Sequence, residues 1–387
     1  MKIPIHYRAL AAFILVLLLL QTPFVSGQQK RKTSFNSADS EFAVAQPAAV
    51  GFDTTILNRI DTAVSNGSFP NIHSVLIAKD NRLVYEKYWK GKDEIWGKDA
   101  GIRDQGKDSL HDIRSITKSI VSACFGILLQ QGKIKSTSQK IFDFFPEYKK
   151  QDTGLKSLLT IEHLLTMTSG LKWNEDVPYN NPENSEIQMI MSGHPAEYVL
   201  SQPMEQAPGK VWKYNGGTTQ LLAAVIEKTT GQNIKEFAAK NLFLPLGITK
   251  LEWVIYPGTK EYAAASGLRL RARDLLKFGL LYLNNGVYKG KQIVPRAWVE
   301  VSMQPFIRLG KGDGAYGYQF WLFSDTFENK PVYVAACVGN GDQRIIINKD
   351  RKMVTVITAG NYNKWNIKNN AYQLNRQFIY PALANKF

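Results

Sequence analysis

The sequence has few cysteines and few histidines, and this shortage limits the sites it can form. Its 387 residues include two cysteines, Cys124 and Cys337, too few for a disulfide scaffold. Each lies in an apolar stretch, which favours burial, although spacing alone leaves a disulfide between them open. The five histidines show no His-Glu-x-x-His spacing, and no Cys-x-x-Cys occurs. We therefore expect no metal site and no cofactor.

Two common enzyme motifs are also missing or misplaced. No Gly-x-Ser-x-Gly segment occurs, so the serine-bearing turn of α/β-hydrolases is absent. Residues 312–317 match Gly-x-Gly-x-x-Gly, but this segment precedes a predicted strand instead of following one. The sequence therefore predicts neither an α/β-hydrolase nor a dinucleotide-binding enzyme.

The positive charge is high but not clustered. The net charge is +15, and lysines and arginines are scattered without a dense basic run. This pattern predicts a solvated basic surface and no nucleic-acid partner. A weak attraction to anionic polymers of the cell envelope stays open.

The N-terminus has the layout of a signal peptide. Lys2 and Arg8 precede an apolar run at residues 9–20, and small residues follow at 25–27. The run is shorter than the roughly 20 apolar residues that a membrane-spanning helix needs. We predict a signal peptide at residues 1–27, in preference to an uncleaved anchor, and export to the periplasm or the exterior.

The remaining chain is predicted to be one domain behind a short leader. Residues 28–47 are polar and rich in Ser, Gln and Lys, which is typical of a flexible segment. Residues 48–387 have enough apolar content to form a large core.

Periodicity predicts strands at both ends of this domain and helices between them. Alternating and β-rich runs predict strands at 74–78, 83–88, 316–323, 331–338, 344–348 and 353–359. Helical patterns occur at 54–65, 115–131, 160–167, 218–230, 272–283 and 367–383. The predicted fold is α+β: an antiparallel sheet built from N- and C-terminal segments, flanked by helices, with a largely helical inserted region.

A Ser-x-x-Lys segment opens the second of these helices. Ser115 and Lys118 are three residues apart, which places their side chains on one face, with Cβ atoms about 5 to 6 Å apart. A serine hydroxyl is a poor nucleophile without an adjacent base, and a partly desolvated lysine with a lowered pKa can act as that base. The helix N-terminus offers free N–H groups for developing negative charge.

The apolar character of this helix strengthens an otherwise weak motif. The turns after Lys118 are nearly all apolar, so the helix is predicted to be buried, and a lysine there must be paired or functional. Cys124 lies on the opposite face, because nine residues at about 100° each turn it away from Ser115. His111 offers an alternative Ser-His pair, but a loop histidine that caps the helix is the favoured interpretation.

Several segments follow the pattern of one family. With them the chain resembles the serine β-lactamase-like family, which includes class C β-lactamases, D-alanyl-D-alanine carboxypeptidases, esterases and 6-aminohexanoate-dimer hydrolase. The resemblance covers most of the predicted domain. The segments are Arg114-Ser115-Ile116-Thr117-Lys118, Leu164 to Leu171, Pro208-Gly209 before Tyr214-Asn215-Gly216-Gly217, Ala272 to Gly286, Tyr316 to Trp321, and Gly339-Asn340-Gly341-Asp342-Gln343.

The resemblance implies a role for Tyr214. In the family's Tyr-x-Asn motif the tyrosine lies beside the nucleophile and shuttles its proton with the lysine. A phenol near a lysine cation can be held partly as phenolate, which makes it a base and then an acid. Gly216 stands where the family has asparagine, and Asn215 has moved to the middle position, where it is the motif's candidate for substrate binding.

The resemblance also implies an oxyanion hole. Asn340-Gly341-Asp342 stands where the family has Lys-Thr-Gly, and the backbone N–H of Gln343 is expected to join that of Ser115 around the oxyanion. Asn340 and Gly341 are expected to contact substrate. Because no lysine or histidine stands at this motif, the cation that grips a β-lactam or peptide carboxylate is expected to be missing.

These residues lead to one main functional hypothesis. It is a serine hydrolase that forms an acyl-enzyme with a small or oligomeric linear amide or ester, in the manner of 6-aminohexanoate-dimer hydrolase. No Glu-x-x-Leu-Asn segment is present to activate a deacylating water, so Tyr214 and Lys118 must act again in that step. The alternatives are a β-lactamase or D-alanyl-D-alanine carboxypeptidase, and a non-catalytic protein that binds the cell envelope.

Overall fold

The computed structural model describes residues 39–310, 314–327 and 330–383. The predicted signal peptide and residues 28–38 of the predicted leader lie outside these ranges. No helix within the described ranges is long and apolar enough to cross a membrane.

One large antiparallel sheet organises the described part of the chain. Its eight strands are arranged in the order β10-β11-β12-β13-β14-β15-β1-β2, so the N-terminal hairpin pairs with the last strand of the sequence. The strands are β1 Ile72–Lys79, β2 Arg82–Tyr88, β10 Ile307–Arg308, β11 Ala315–Tyr316, β12 Trp321–Phe327, β13 Lys330–Gly339, β14 Gln343–Asn348 and β15 Met353–Ala359.

Three smaller antiparallel units lie outside this sheet. The hairpin β3–β4 is followed by a three-stranded sheet in the order β5-β7-β6, and β8–β9 forms a short hairpin. Their bounds are β3 Gly91–Ile95, β4 Lys98–Arg103, β5 Leu110–Asp112, β6 Glu252–Trp253, β7 Leu268–Arg271, β8 Val287–Tyr288 and β9 Lys291–Gln292. Strand β5 ends three residues before Ser115.

The helices lie on both faces of the large sheet. Most of them come, along the chain, between the N-terminal strands and the C-terminal strands of that sheet. They are α1 Thr54–Ser65, α2 Ile116–Gln130, α3 Ile161–Leu165, α4 Ser185–Met191, α5 Pro195–Ser201, α6 Gly216–Thr230, α7 Ile234–Ala238, α8 Ala272–Leu283, α9 Arg296–Ser302, α10 Ala371–Leu374 and α11 Tyr380–Leu383, with a π-helical turn at Asn375–Ile379 between the last two.

The two faces of the sheet follow from the alternation of side chains along its strands. In β1, Leu76 and Ala78 join the core that contains α2 and α8, whereas Val75 and Ile77 join the core formed with α1 and the C-terminal helices. This is the period-2 pattern of a strand that is buried on both faces. The predicted α+β class, with a sheet from both ends of the chain and a helical insertion, is confirmed.

The predicted strand at 316–323 is wrong in detail. The structure divides it into β11 and β12, because the chain bends between them, with Gln319 at a φ of 65°. A strand cannot continue through a residue in the left-handed region. The last predicted helix begins at Ala371 instead of residue 367, since the Asn370 side chain accepts hydrogen bonds from the N–H groups of Tyr372 and Gln373 and caps it.

The predicted leader is too long at its C-terminal end. Residues 39–47 lie against the domain, with the Phe42 side chain 6% exposed. Asp39 contacts Arg273 at 2.7 Å, and Glu41 contacts Lys277 at 2.8 Å, both on α8. Polar composition suggested flexibility there, but these carboxylates have partners that lie over 200 residues away in sequence.

Both cysteines are free and buried, as their apolar surroundings indicated. Burial raises the pKa of each thiol well above its ordinary value. The open possibility of a disulfide between them is therefore not realised.

Phe42→Ala is expected to destabilise the protein by about 3 kcal/mol, because it removes a buried aromatic ring from the core. Urea denaturation measures this difference. The matched change Met191→Ala, at a side chain that is 77% exposed, should change the unfolding free energy by less than about 0.5 kcal/mol. Equal effects of the two changes would contradict the packing of residues 39–47.

Candidate active site

The chain places Ser115 at a tight turn between β5 and α2. Ser115 is the residue before the first turn of α2, and Arg114 before it has a φ of 48°. A non-glycine residue in this region is held there by its surroundings. The Arg114 guanidinium is 3.2 Å from the Glu94 carboxylate and 3.4 Å from that of Asp112, and it lies 4.6 Å from the ring centre of Tyr362. These contacts fix the direction in which Ser115 enters the site.

Lys118 lies beneath Ser115 and is almost completely buried. Its side chain is 1% exposed, and its Nζ donates hydrogen bonds to Ser115 Oγ at 3.2 Å and to the carbonyl oxygen of Ala265 at 2.9 Å. The ammonium lies 4.9 Å from the ring centre of Tyr214. The structure thus brings together Ser115, Lys118 and Tyr214, three residues that the sequence analysis selected.

Glu175 is part of this site, and the sequence analysis missed it. Its carboxylate accepts hydrogen bonds from the indole N–H of Trp173, the backbone N–H of Gly216 and, at 3.1 Å, the Tyr179 hydroxyl. Glu175 lies in the irregular segment before α4, where no periodicity marks it. Only the indirect signal of an acidic residue among aromatic residues was available.

Glu186 is a second buried carboxylate that the sequence analysis missed. It is 2% exposed, and its Oε1 accepts a hydrogen bond from Ser266 at 2.8 Å. Its Oε2 is buried without a hydrogen-bond partner among the described residues. A Cβ atom placed on Gly216 would lie 2.5 Å from this oxygen. Gly216, which departs from the family's asparagine, therefore leaves the space that Glu186 occupies.

The two carboxylates change the expected charge state of Lys118. Burial lowers the pKa of Lys118, but interactions with Tyr214, Glu186 and Glu175 outweigh burial and raise it above its ordinary value. The expectation of a lysine with a lowered pKa is therefore wrong. Desolvation alone suggested it, and the sequence did not show the negative charges nearby.

The pKa of Tyr214 is raised as well. Burial raises the pKa of its phenol, Lys118 and Ser115 lower it, and Glu175 and Glu186 raise it, so that the pKa remains above its ordinary value. The expected partial phenolate is therefore wrong for the resting site. The pKa of Glu175 is also raised, first by burial and then by the charge of Glu186. At neutral pH the site holds an ammonium and a phenol.

A pocket of about 320 Å³ opens above Ser115. Aromatic side chains form much of its wall: Tyr179, Trp212, Tyr214, Trp321 and Trp365. The ring centres of Tyr214 and Trp321 are 5.7 Å apart, so part of this wall is one packed aromatic cluster.

The turn between β13 and β14 forms the opposite side of the pocket. Asn340 and Gly341 line it, and Gly341 has a φ of 90°. The Asn340 side chain is already paired with Asn363, through one bond of 2.7 Å to its side chain and one of 2.9 Å from its backbone. Asn340 therefore joins two loops, and its contact with substrate stays a prediction.

Gln343 is buried next to this turn. Its side chain donates to the carbonyl oxygens of Gly341, at 3.1 Å, and Ala359, and accepts from the backbone N–H of Ala359 at 3.2 Å. These bonds tie the turn to β15. The oxyanion role of the Gln343 backbone N–H stays a prediction.

Asn215 is the N-cap residue of α6. It is 1% exposed and caps α6, since its Oδ1 accepts a hydrogen bond from Thr218 N–H at 3.1 Å. It does not line the pocket described above. The expectation that Asn215 binds substrate is therefore not supported by its place in the fold.

Cations are present in the pocket, contrary to expectation. Arg344 and Lys364 both line it, although neither stands at the family's Lys-Thr-Gly position. Arg344 donates hydrogen bonds to the carbonyl oxygens of Gly339 and Gln343 at 3.2 and 2.9 Å. The Lys-Thr-Gly motif covers positions 340 to 342 only, so it gave no information about cations at other positions of the chain.

His111 takes neither of the roles considered from sequence. It lies on β5, 2% exposed, and its Nε2 is 2.8 Å from Nδ1 of His73. It neither pairs with Ser115 nor caps α2, because its ring is held in a separate buried cluster.

Comparison with known proteins shows the family of the chain. The Beta-lactamase family model matches residues 60–375. The chain is 26% identical over 235 residues to 6-aminohexanoate-dimer hydrolase of Paenarthrobacter ureafaciens, covering 55% of this chain and 58% of that one. It is 27% identical over 258 residues to lovastatin esterase of Penicillium rubens, covering 60% of each.

The chain spans about half to three-fifths of the length of several curated relatives that it matches. Among solved structures, the octameric penicillin-binding protein homologue from Pyrococcus abyssi superposes with a TM-score of 0.61 at 18% identity, over 85% of this chain and 77% of that one. A family VIII carboxylesterase gives a TM-score of 0.63 at 13% identity, over 85% and 97%. These structures show a shared fold.

Glu175→Gln is expected to change how stability depends on pH. The folded protein holds the Glu175 proton to a higher pH than the unfolded chain, whose pKa is near 4.5. The contribution of Glu175 to stability therefore decreases as pH rises, whereas glutamine stays neutral. Relative to wild type, the unfolding free energy of the variant should increase by at least about 1 kcal/mol between pH 5 and pH 8, measured by urea denaturation.

The control for this experiment is Glu183→Gln, at an exposed glutamate three residues before Glu186. Its difference from wild type should be the same at both pH values. A pH-independent difference for Glu175→Gln would show that its carboxyl titrates normally.

Proposed function

Because the chain belongs to the Beta-lactamase family, we propose that it is a serine hydrolase that cleaves a linear amide or ester through an acyl-enzyme. The observation that carries this proposal is the contact of 3.2 Å between Lys118 Nζ and Ser115 Oγ at the base of an aromatic pocket.

In the proposed acylation step, Ser115 Oγ attacks the substrate carbonyl carbon. Its proton passes to the Lys118–Tyr214 pair, which must first have lost one proton, since the resting pair is an ammonium and a phenol. Backbone N–H groups at the start of α2 and in the turn 340–343 hold the oxyanion. Tyr214 then gives a proton to the leaving amine or alcohol, and the acyl group remains on Ser115.

In the proposed deacylation step, the same groups transfer protons in the opposite direction. A water molecule loses its proton to the Lys118–Tyr214 pair and attacks the acyl carbon, and Ser115 leaves with a proton from that pair. Glu175 and Glu186 make the pair a stronger base once it has lost a proton, because they raise both pKa values. The same effect reduces the fraction of protein that is ready to react at neutral pH.

The pocket supports a linear substrate with charged groups. Asp176 lines it from the loop before α4, Arg344 lines it from β14, and Lys364 lines it from the segment after β15. Apolar stretches of a substrate can lie on the tryptophan rings between them. Among the matched relatives, one is named a 6-aminohexanoate-dimer hydrolase and one an esterase. Both names agree with the hydrolysis of a linear amide or ester bond.

The presence of Arg344 and Lys364 keeps a β-lactamase or carboxypeptidase as a second candidate. Lys364 offers a positive charge to a substrate carboxylate, whereas Arg344 also lies 3.6 Å from the Asp342 carboxylate. Covalent labelling of Ser115 by penicillin would favour this candidate. Faster turnover of short amide oligomers or p-nitrophenyl esters would favour the hydrolase of linear amides or esters.

Export is a further part of the proposal and depends on sequence alone. Residues 1–27 have the signal-peptide layout described above. Recovery of a chain that begins near residue 28 from the periplasm or medium would support it.

Ser115→Ala should abolish labelling by a fluorophosphonate probe and reduce kcat on a p-nitrophenyl ester at least a thousandfold, because the nucleophile is lost (roughly, by analogy with other serine enzymes). Mass spectrometry locates the label. Ser201→Ala, at an exposed serine at the end of α5, should behave like wild type. If the wild type shows neither labelling nor turnover yet sediments with peptidoglycan, a non-catalytic envelope-binding role replaces this proposal.

Glu186→Gln should move the acid limb of the kcat/KM profile to lower pH by about one unit. The carboxylate raises the pKa of Lys118 and Tyr214, so its loss allows the pair to release a proton at lower pH. Initial rates between pH 5 and pH 10 measure the shift, with Glu183→Gln as the control. An unchanged limb would show that Glu186 does not set the protonation of the pair.

A further inference from the structure

A buried cluster of two histidines and one aspartate lies outside the active-site pocket. His73 on β1, Asp93 on β3 and His111 on β5 are each no more than 2% exposed. His73 Nδ1 and His111 Nε2 are 2.8 Å apart, and Asp93 Oδ1 lies 4.0 Å from the first and 3.7 Å from the second. All three are possible metal-ligand atoms that face one another.

The partners of the outer ring nitrogens favour a proton on each of them. His111 Nδ1 lies 3.2 Å from the carbonyl oxygen of Asp112, which can only accept, and 3.4 Å from the Tyr362 hydroxyl, which can accept or donate. His73 Nε2 lies 3.4 Å from Asn71 Oδ1. The Asn71 amide orientation is fixed, since its Oδ1 accepts from Lys92 N–H and its Nδ2 donates to the Lys92 carbonyl, both at 2.8 Å.

With a proton on each outer nitrogen, both imidazoles are neutral. The two inner nitrogens then direct lone pairs at each other across 2.8 Å. Such an approach is repulsive unless a cation lies between them. Donation of the outer N–H to a carbonyl oxygen is also the usual second contact of a metal-binding histidine.

The distances fit one ion. A point equidistant from the three ligand atoms lies about 2.1 Å from each, which matches Zn–N and Zn–O bonds in proteins. Gln105 donates a hydrogen bond to the other oxygen of Asp93 at 3.1 Å and orients the carboxylate. We infer that His73, Asp93 and His111 bind a divalent transition-metal ion, with zinc as the expected occupant.

No metal site was expected from the sequence, because no local spacing of histidines and carboxylates marks this cluster. These ligands are 20 and 18 residues apart, and three strands of two small sheets and the large sheet bring them together. Imidazole and carboxylate ligands also suit Fe²⁺ and other ions of this series, so metal analysis must identify the ion.

The ion has a structural role at the base of the active site. His111 lies four residues before Ser115 on the same short segment. Its ring stacks on Tyr362 with centres 6.2 Å apart, and the Tyr362 ring leaves no room for a side chain at Gly341. A metal at His111 would therefore hold the segment that carries Ser115 and, through Tyr362, the turn that lines the pocket.

The test uses the full-length protein, stripped with a chelator and titrated with Co²⁺ as an optical probe. One equivalent of Co²⁺ should give visible absorption bands that Zn²⁺ removes by competition. Asp93→Asn and His73→Gln should weaken Co²⁺ binding more than about 100-fold, beyond the effect of losing an outer-shell partner. His194→Gln, at an exposed histidine, should bind like wild type.

The absence of tight binding by the wild type, or equal binding by all variants, would overturn the inference and leave a hydrogen-bonded His–His–Asp cluster. Should the two ligand variants fail to fold, anomalous scattering from wild-type crystals soaked in Zn²⁺ decides the question. A peak between the three side chains supports the site, and a soaked crystal without that peak excludes it.

Discussion

The ammonium group of Lys118 lies inside the protein, and the surrounding residues make that position tolerable. A buried charge without partners costs several kcal/mol, so a lysine that is 1% exposed requires acceptors and opposite charge nearby. Ser115 Oγ and the Ala265 carbonyl accept its hydrogen bonds, and the Glu186 carboxylate is among the groups that raise its pKa. Ser115, the proposed nucleophile, is therefore one of the contacts that stabilise the cation. The stability of the buried lysine and the proposed catalysis depend on the same pairing.

The large sheet and the helical insertion place these groups from distant parts of the chain. Ser115 and Lys118 come from α2, the two glutamates from the segment that leads into and begins α4, and Tyr214 from the loop before α6. The turn between β13 and β14 closes the pocket, and Gln343 ties it to β15. Because β15 pairs with β1, the N-terminal hairpin supports a wall formed by the C-terminal half of the chain. Both ends must fold together before the pocket has its shape.

The comparison of sequence and structure shows which features are local. The helix at Ser115, the Ser-x-x-Lys contact and the C-terminal strands follow from patterns of a few residues, and these were predictable. The pKa values of Lys118 and Tyr214 were not, because they depend on carboxylates about 30 to 70 residues away that only the tertiary fold brings close. Asn215 and Asn340 were selected by motif position, yet one caps a helix and the other joins two loops. A motif gives the residue type, whereas the neighbours decide whether its side chain is free.

The space at Gly216 has a consequence for how this site can change over evolution. Glu186 Oε2 occupies the volume that the side chain of any larger residue at position 216 would need. A side chain at 216 therefore requires the Glu186 carboxylate to move from its present position. That carboxylate is among the groups that raise the pKa of Lys118, so an exchange at position 216, outside the Ser-x-x-Lys segment, can alter the protonation of the buried lysine.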